Sequence, residues 1–231
     1  MRGFVSDQEM MEFVIDTIER QTPDTPLFLF GVTMQNHSSY NYQGEDFTET
    51  IFAQGYSQNY PDANQYLTLI HESDKAAEHL IHYLSESDRN TVLLFYGDHL
   101  PALNSHFYEE IHGSPFNTLN EQMRHYKVPF FIWANFDIEE RIVDCTSLNY
   151  LSTLLFESIG LELTPYQRFL QDVREVIPSI NMEGYYSTDS GSYLPIDDAQ
   201  NHEAFWLNRY QQIQHTYLFG KPDPSFYGVQ N

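Results

Sequence analysis

The run Thr91-Val92-Leu93-Leu94-Phe95-Tyr96-Gly97-Asp98-His99-Leu100-Pro101 ends a stretch of apolar residues on a carboxylate next to an imidazole. Such a pair suits a divalent ion of the Mn²⁺ or Zn²⁺ type. Neighbouring residues on a regular strand face opposite ways, but on a turn after Gly97 both side chains can address one ion. Two donors do not complete a site, so one or two more must come from another strand end. The dipeptide also fits a structural reading, in which Asp98 caps the turn and His99 bonds a backbone carbonyl. The pair alone leaves both open.

A second polar cluster, Gln35-Asn36-His37, follows the apolar run Leu27 to Met34. From a strand end, His37 could bind a phosphate oxygen or pass a proton to a leaving alkoxide. His106, His112 and His125 have no regular ligand spacing and read as loop histidines. Thr33 lies within the strand and has no adjacent base, which makes it a poor nucleophile. The chain has no Gly-rich phosphate loop, no Gly-x-Ser-x-Gly elbow and no His-Glu-x-x-His segment, and the chemistries those motifs serve lose support.

The elements that must position these residues follow from periodicity. Ser6 and Glu9 have capping-box spacing, with Met10, Phe13, Val14 and Ile18 behind them, and predict a helix that ends before Pro23. Leu27 to Met34 reads as a parallel strand buried on both faces. Ser38 to Tyr60 reads as a long loop of the kind that often serves function, and a helix follows from Asp62. Val92 to Tyr96 and Phe130 to Ala134 read as strands separated by another long loop from Leu103 to Lys127. Later helices are predicted over Ser147 to Ile159, from Thr164-Pro165 to about Glu175, and over Ala199 to Phe219, the first stopped by Gly160 and the last by Gly220. This order predicts parallel βαβ units, with His37 and Asp98-His99 on one edge of the sheet.

With 231 residues the chain can form one sizeable core, or one α/β domain with an appendage, and a single domain is expected. The 33 acidic and 11 basic residues give a formal net charge of −22, which argues against nucleic-acid binding and against an anionic membrane surface. No apolar run of about 18 residues or more is present, and no signal peptide, so the fragment reads as soluble. The lone Cys145 excludes an internal disulfide. Tyrosine-rich stretches such as Gly184-Tyr185-Tyr186 would suit solvent-facing loops that stack on sugars or lipid head groups, but ordinary half-buried tyrosines are the favoured reading.

Taken in order, Phe30-Gly31-Val32-Thr33-Met34-Gln35-Asn36-His37, Asp74-Lys75-Ala76-Ala77, Val92 to His99 and Val128-Pro129-Phe130-Phe131-Ile132-Trp133 resemble the lipoteichoic acid synthase-like, phosphoglycerol transferase branch of the sulfatase/alkaline phosphatase superfamily. The resemblance spans roughly Ser6 to Ile177. It implies an α/β fold with a mostly parallel sheet flanked by helices, truncated on its N-terminal side. Residues 1–178 are then the C-terminal part of a sulfatase-like domain, and 179–231 a Tyr-rich extension with a terminal helix. It further implies an enzyme on the outer face of a bacterial membrane that takes glycerol phosphate from a phosphatidylglycerol-like lipid to build or modify an envelope polymer. One Mn²⁺, or another divalent metal such as Zn²⁺ or Mg²⁺, would be held in part by Asp98 and His99, with Asn36 and His37 lining the substrate pocket.

In that family the threonine nucleophile, a further acidic ligand and a phosphate-binding arginine precede the Asn-His strand. Here only about 25 residues do so. The nucleophile is therefore expected upstream of residue 1, the metal site is expected to be incomplete, and the missing N-terminal half becomes an expected partner without which the chain is inactive. Two other readings stand beside this one. The chain could be a non-catalytic surface domain that keeps the sheet, or a phosphoesterase of the superfamily, which would need a second metal cluster that the sequence does not offer. Cys145-Thr146-Ser147 lacks the Cys/Ser-x-Pro-x-Arg setting of a true sulfatase.

Overall fold

The computed structural model describes residues 2–22 and 25–228. The chain forms two compact units, one of residues 1–92, 100–115 and 134–136 and the other of residues 93–99, 116–133 and 137–231. Among the described residues, no helix is long and apolar enough to cross a membrane.

In the first unit, α1 (Asp7–Glu19) begins at the capping box read from the sequence. The Ser6 hydroxyl accepts from the Glu9 N–H, and the Glu9 carboxylate accepts from the Ser6 N–H. Met11 and Ile15, one helical turn apart, are buried on the side that packs on α2 (Pro61–Ser85). Pro61 opens α2, where its missing N–H costs nothing. Ala63, Leu69, Ala76, Leu80 and Leu84 form its buried stripe.

The segment 37–60 is irregular, as expected, yet it is anchored. Asn64, Gln65 and Thr68 are buried on α2 and serve as its hydrogen-bond partners. Gln65 exchanges two bonds with the Tyr42 backbone at 3.0 and 2.8 Å, Thr68 Oγ1 accepts from the N–H groups of Thr50 and Ile51, and Asn64 Oδ1 accepts from Ala53. Polar side chains of a helix thus do for this loop what a ladder does for a strand.

Residues 27–34 differ from expectation. They are extended but pair with no other strand among the described residues, and Phe28, Phe30 and Val32 are more than 60% exposed. Apolar content marks a segment suited to a buried strand; only a neighbouring backbone makes it one.

The strand β1 (Val92–Tyr96) pairs with β2 (Phe130–Ala134). Gly97 N–H donates to Pro129 O at 3.1 Å and Asn135 N–H to Thr91 O at 3.2 Å, so the pair runs antiparallel where element order predicted parallel. The chain re-enters the pair at the end where it left, because the intervening segment holds only α3 (Ser105–His112), α4 (Leu119–Gln122) and a turn of 3₁₀ helix. Phe95 and Phe131 stack across the pair at 5.3 Å. His106 and His112 are therefore on a helix and not in a loop, and His125, in the 3₁₀ turn, packs on Phe116.

The second unit holds a core of Tyr150, Leu170, Val173, Ile177, Tyr185, Leu207 and Tyr210, with residues from both sides of position 178. They come from the turn that leads into α5 (Leu151–Ser158), from α6 (Pro165–Val176) and the residue after it, from β3 (Tyr185–Ser187), which forms a small hairpin with β4 (Ser192–Leu194), and from α7 (Asn201–Phe219). α6 starts at a second capping box, Thr164 with Gln167. Gly160 stops α5 with φ +69°, which a side chain would resist.

In the first unit, Glu110 on α3 accepts from Ser57 N–H at 2.8 Å and from the Ser57 and Tyr60 hydroxyls. Those bonds, Ser57's first and then Tyr60's, hold its carboxyl below the usual value of 4.5. A depressed carboxyl adds stability above its ordinary value and loses it as pH falls through the lowered one. We expect Glu110→Gln to be less stable than the parent at neutral pH, with the difference shrinking as pH drops below about 4.5. Urea unfolding at several pH values reads this directly; a pH-independent difference would contradict it.

Candidate functional site

In the first unit the Gln35-Asn36-His37 cluster is built on a buried polar junction. Gln35 is 1% exposed. Its Oε1 accepts from the Asp7 N–H at the start of α1 (3.0 Å), and its Nε2 donates to Leu69 O and Ser73 Oγ on α2 (both 3.2 Å). Ser73 Oγ in turn donates to Asp7 Oδ2 at 2.5 Å and accepts from Asn36 Nδ2 at 2.8 Å. The Asn36 amide is thus engaged with α2.

His37 is exposed, and its Nδ1 lies 2.9 Å from Ser38 O. A carbonyl only accepts, so Nδ1 carries the proton and Nε2 is left as the basic nitrogen. Arg2, 7% exposed, donates to the carbonyls of His37 and Ser39 and lies 5.4 Å from the centre of the Tyr40 ring. Burial lowers the Arg2 pKa, while Tyr40 and Tyr42 act to raise it. Burial also pushes the Tyr40 hydroxyl up to about 12; it donates to Asn36 O at 2.6 Å. Arg2 holds the turn that carries His37, and no spacing in the sequence marks it for that role.

In the second unit Asp98 and His99 follow β1 directly. The backbone at Gly97 passes close to Val128: a Cβ there would lie 3.2 Å from Val128 Cβ, a tight contact that Val128 would have to relieve by a small shift. Asp98 Oδ1 accepts from the His99 N–H at 2.8 Å, which curls the backbone and brings Asp98 Oδ2 within 3.6 Å of His99 Nε2. Metal–ligand distances of about 2.0–2.2 Å put two donors on one ion roughly 3–3.5 Å apart, close to this separation. Both side chains are about 70% exposed. The donors have the right chemistry for a divalent ion, but their number falls short. Among the described residues, no group of three or more His, Cys, Asp or Glu could hold a metal. His37 and Asn36 belong to the first unit and Asp98 and His99 to the second.

A fold that places Asp-His directly after a hydrophobic strand, downstream of an Asn-His turn, defines a class. The sulfatase family model matches residues 2–157, and the chain belongs to that family. Among solved structures it resembles the Streptococcus pyogenes phosphoglycerol transferase GacH, in complex with sn-glycerol-1-phosphate, with a TM-score of 0.64 and 22% identity over 94% of this chain and 50% of that one. The likeness supports the sulfatase-like α/β fold with its helices and sheet. A putative cyclic β-1,2-glucan modification protein of Rhizobium meliloti (strain 1021) is 24% identical over 94% of this chain. An uncharacterized protein of Haemophilus influenzae is 27% identical over 44%. The chain spans about a third (35%) of the Rhizobium protein's length and 19% of the Haemophilus protein's.

The buried junction yields a stability test. Gln35→Leu removes the bonds to Asp7, Leu69 and Ser73 and takes from the Asp7 N–H its Gln35 acceptor, while Ser73 Oγ and Leu69 O keep their other partners. The expected cost is about 1–3 kcal/mol, seen as a lower urea midpoint at unchanged slope. A variant as stable as the parent would show that the junction is dispensable.

Proposed function

We propose that this chain is part of a metal-dependent phosphoglycerol transferase that moves glycerol phosphate from a phosphatidylglycerol-like lipid to a glycan polymer of the bacterial envelope, on the outer face of the membrane. The observation that carries this reading is the convergence of Asp98 and His99 at the end of β1 in a sulfatase-family chain with the fold of a phosphoglycerol transferase. The Rhizobium relative's printed description, glucan modification, supports a glycan acceptor.

In this reading residues 1–178 form the sulfatase-like part and 179–231 its C-terminal extension. Asp98 and His99 supply two donors to one divalent ion, Mn²⁺ in the first instance. The remaining donors, the threonine nucleophile and the phosphate-binding arginine come from sequence outside these 231 residues, and the chain alone does not turn over. Such an ion would supply Lewis-acid stabilisation of phosphoryl oxygens. His37 Nε2, left basic by the Nδ1 bond to Ser38, is suited to accept a proton or, once protonated, to bind a phosphate oxygen or protonate a leaving alkoxide. Asn36 and His37 would line the glycerol phosphate pocket.

The shortage of donors among the described residues favours a second reading, a non-catalytic domain in which Asp98-His99 is a relic. Titration of the 231-residue chain with Mn²⁺, followed by electron paramagnetic resonance and thermal unfolding, separates the two. We expect weak saturable binding, a rise in Tm with Mn²⁺ concentration, and at least about a tenfold loss of affinity in Asp98→Ala and in His99→Ala. No binding, or binding that survives both substitutions, would select the non-catalytic reading.

A further inference from the structure

The C-terminal helices carry a feature that the sulfatase match, ending at residue 157, does not reach. α6 has two faces. Leu170 and Val173 point into the core of the second unit, whereas Arg168, Phe169 and Asp172, at i, i+1 and i+4, turn toward α7. There they meet Phe205, Trp206 and Arg209 around an open cleft of about 390 Å³. The Trp206 ring lies 5.9 Å from Phe169 and 5.4 Å from Phe205, the latter edge to face at 77°. Phe205 is 55% exposed.

Phe169 and Trp206 are half-buried and pack against the core while lining the cleft, and Phe205 beside them is exposed, so the three rings together form a partly solvent-facing aromatic surface. The charge is as telling. In a chain with 33 acidic and 11 basic residues, two arginines front this cleft, balanced by Asp172 and by the Glu162 carboxylate beside Arg168, a site far less acidic than the molecule as a whole. Arg168 is held by an exposed ion pair with Glu162 at 2.8 Å, a link worth little in water and readily exchanged. Guanidinium groups bind phosphate oxygens through paired, directional bonds. Aromatic faces offer flat apolar surface to the C–H face of a sugar ring, and Asp172 can accept from sugar hydroxyls. The volume lies near the lower end of the range for small-ligand clefts.

We infer that the cleft between α6 and α7 binds a phosphate-bearing glycan, with Trp206, Phe169 and Phe205 contacting sugar rings and Arg168 and Arg209 taking the phosphodiester oxygens. The inference rests on the proposed function, because it assigns that reaction's polymer a docking site away from Asp98-His99.

The test is a binding titration that needs neither metal nor turnover. The 231-residue chain is titrated by calorimetry with a β-1,2-glucan carrying phosphoglycerol groups, and with the same glucan unsubstituted. The parent chain has 2 tryptophans, Trp133 and Trp206, so Trp133→Phe leaves Trp206 as the single indole reporter for a parallel fluorescence titration. Should that variant fail to fold, calorimetry on the parent chain still decides. Saturable binding of the substituted glucan is expected, weakened at least about tenfold by the double variant Arg168→Glu/Arg209→Glu, by raised salt and by Phe205→Ala, with unfolding temperatures near the parent's. Absence of binding, equal affinity for the unsubstituted glucan, or binding indifferent to the double charge reversal would overturn the inference. A chain that binds the glucan but shows no Asp98- and His99-dependent Mn²⁺ binding would refute the proposed reaction and leave the cleft standing. Metal binding without glucan binding would do the reverse.

Discussion

One buried amide organises the first unit. Gln35 reaches the first turn of α1 through the Asp7 N–H and the middle of α2 through Leu69 and Ser73, so the entry to one helix, the body of another and the extended chain between them meet at a single side chain. A buried amide must find partners for its oxygen and both its protons or cost the fold free energy. That requirement fixes the backbone at Gln35, and with it the positions of Asn36 and His37. His37 itself is exposed; Gln35 and Arg2, which hold its turn, are almost wholly buried.

The same economy governs the long loop after His37. A segment without a ladder must still satisfy its backbone, and α2 supplies Asn64, Gln65 and Thr68 for this purpose along a helix whose other buried positions are aliphatic. α2 therefore has two tasks on neighbouring faces: apolar packing against α1 and hydrogen bonding to the loop. By contrast, the backbone of residues 27–34 has no strand partner among the described residues, and its side chains are exposed. Polar satisfaction and apolar burial meet at Gln35 and part company a few residues earlier.

Features with local causes were legible in the sequence. The capping box at Ser6, the cap and proline-led start of α6 at Thr164-Pro165, the stop at Gly160 and the apolar strand before Gly97 depend on residues within one turn of each other, and each is present. Features with distant causes were not. Residues 27–34 have strand composition, but pairing depends on a neighbouring backbone. The direction of the β1–β2 pair depends on where the chain returns, and the helices between residues 105 and 126 are too short for periodicity to declare them. The hairpin of residues 185–194 was hidden by its Ser and Gly content. Of the candidate residues, Asp98, His99, Asn36 and His37 stood out by type and position; Arg2, Ser73 and the arginines of α6 and α7 matter through packing partners that no spacing announces.

The wealth of tyrosine has a consequence at high pH. Tyr60, Tyr150 and Tyr185 are almost fully buried, with hydroxyls donated to Glu110, the Ile177 carbonyl and Glu203. Burial pushes the hydroxyls of Tyr40, Tyr108 and Tyr166 up to about 12. In the unfolded chain these phenols ionise near pH 10. A raised pKa means that the stability tied to the neutral phenols is intact below that value and drains away as the solution becomes more basic. Each phenolate also adds to a charge of −22 already carried at neutrality. The fold thus carries its own alkaline limit, set by the hydroxyls of Tyr40, Tyr108 and Tyr166 that burial holds neutral beyond their ordinary range, and the ultraviolet signature of tyrosinate would mark the approach to it.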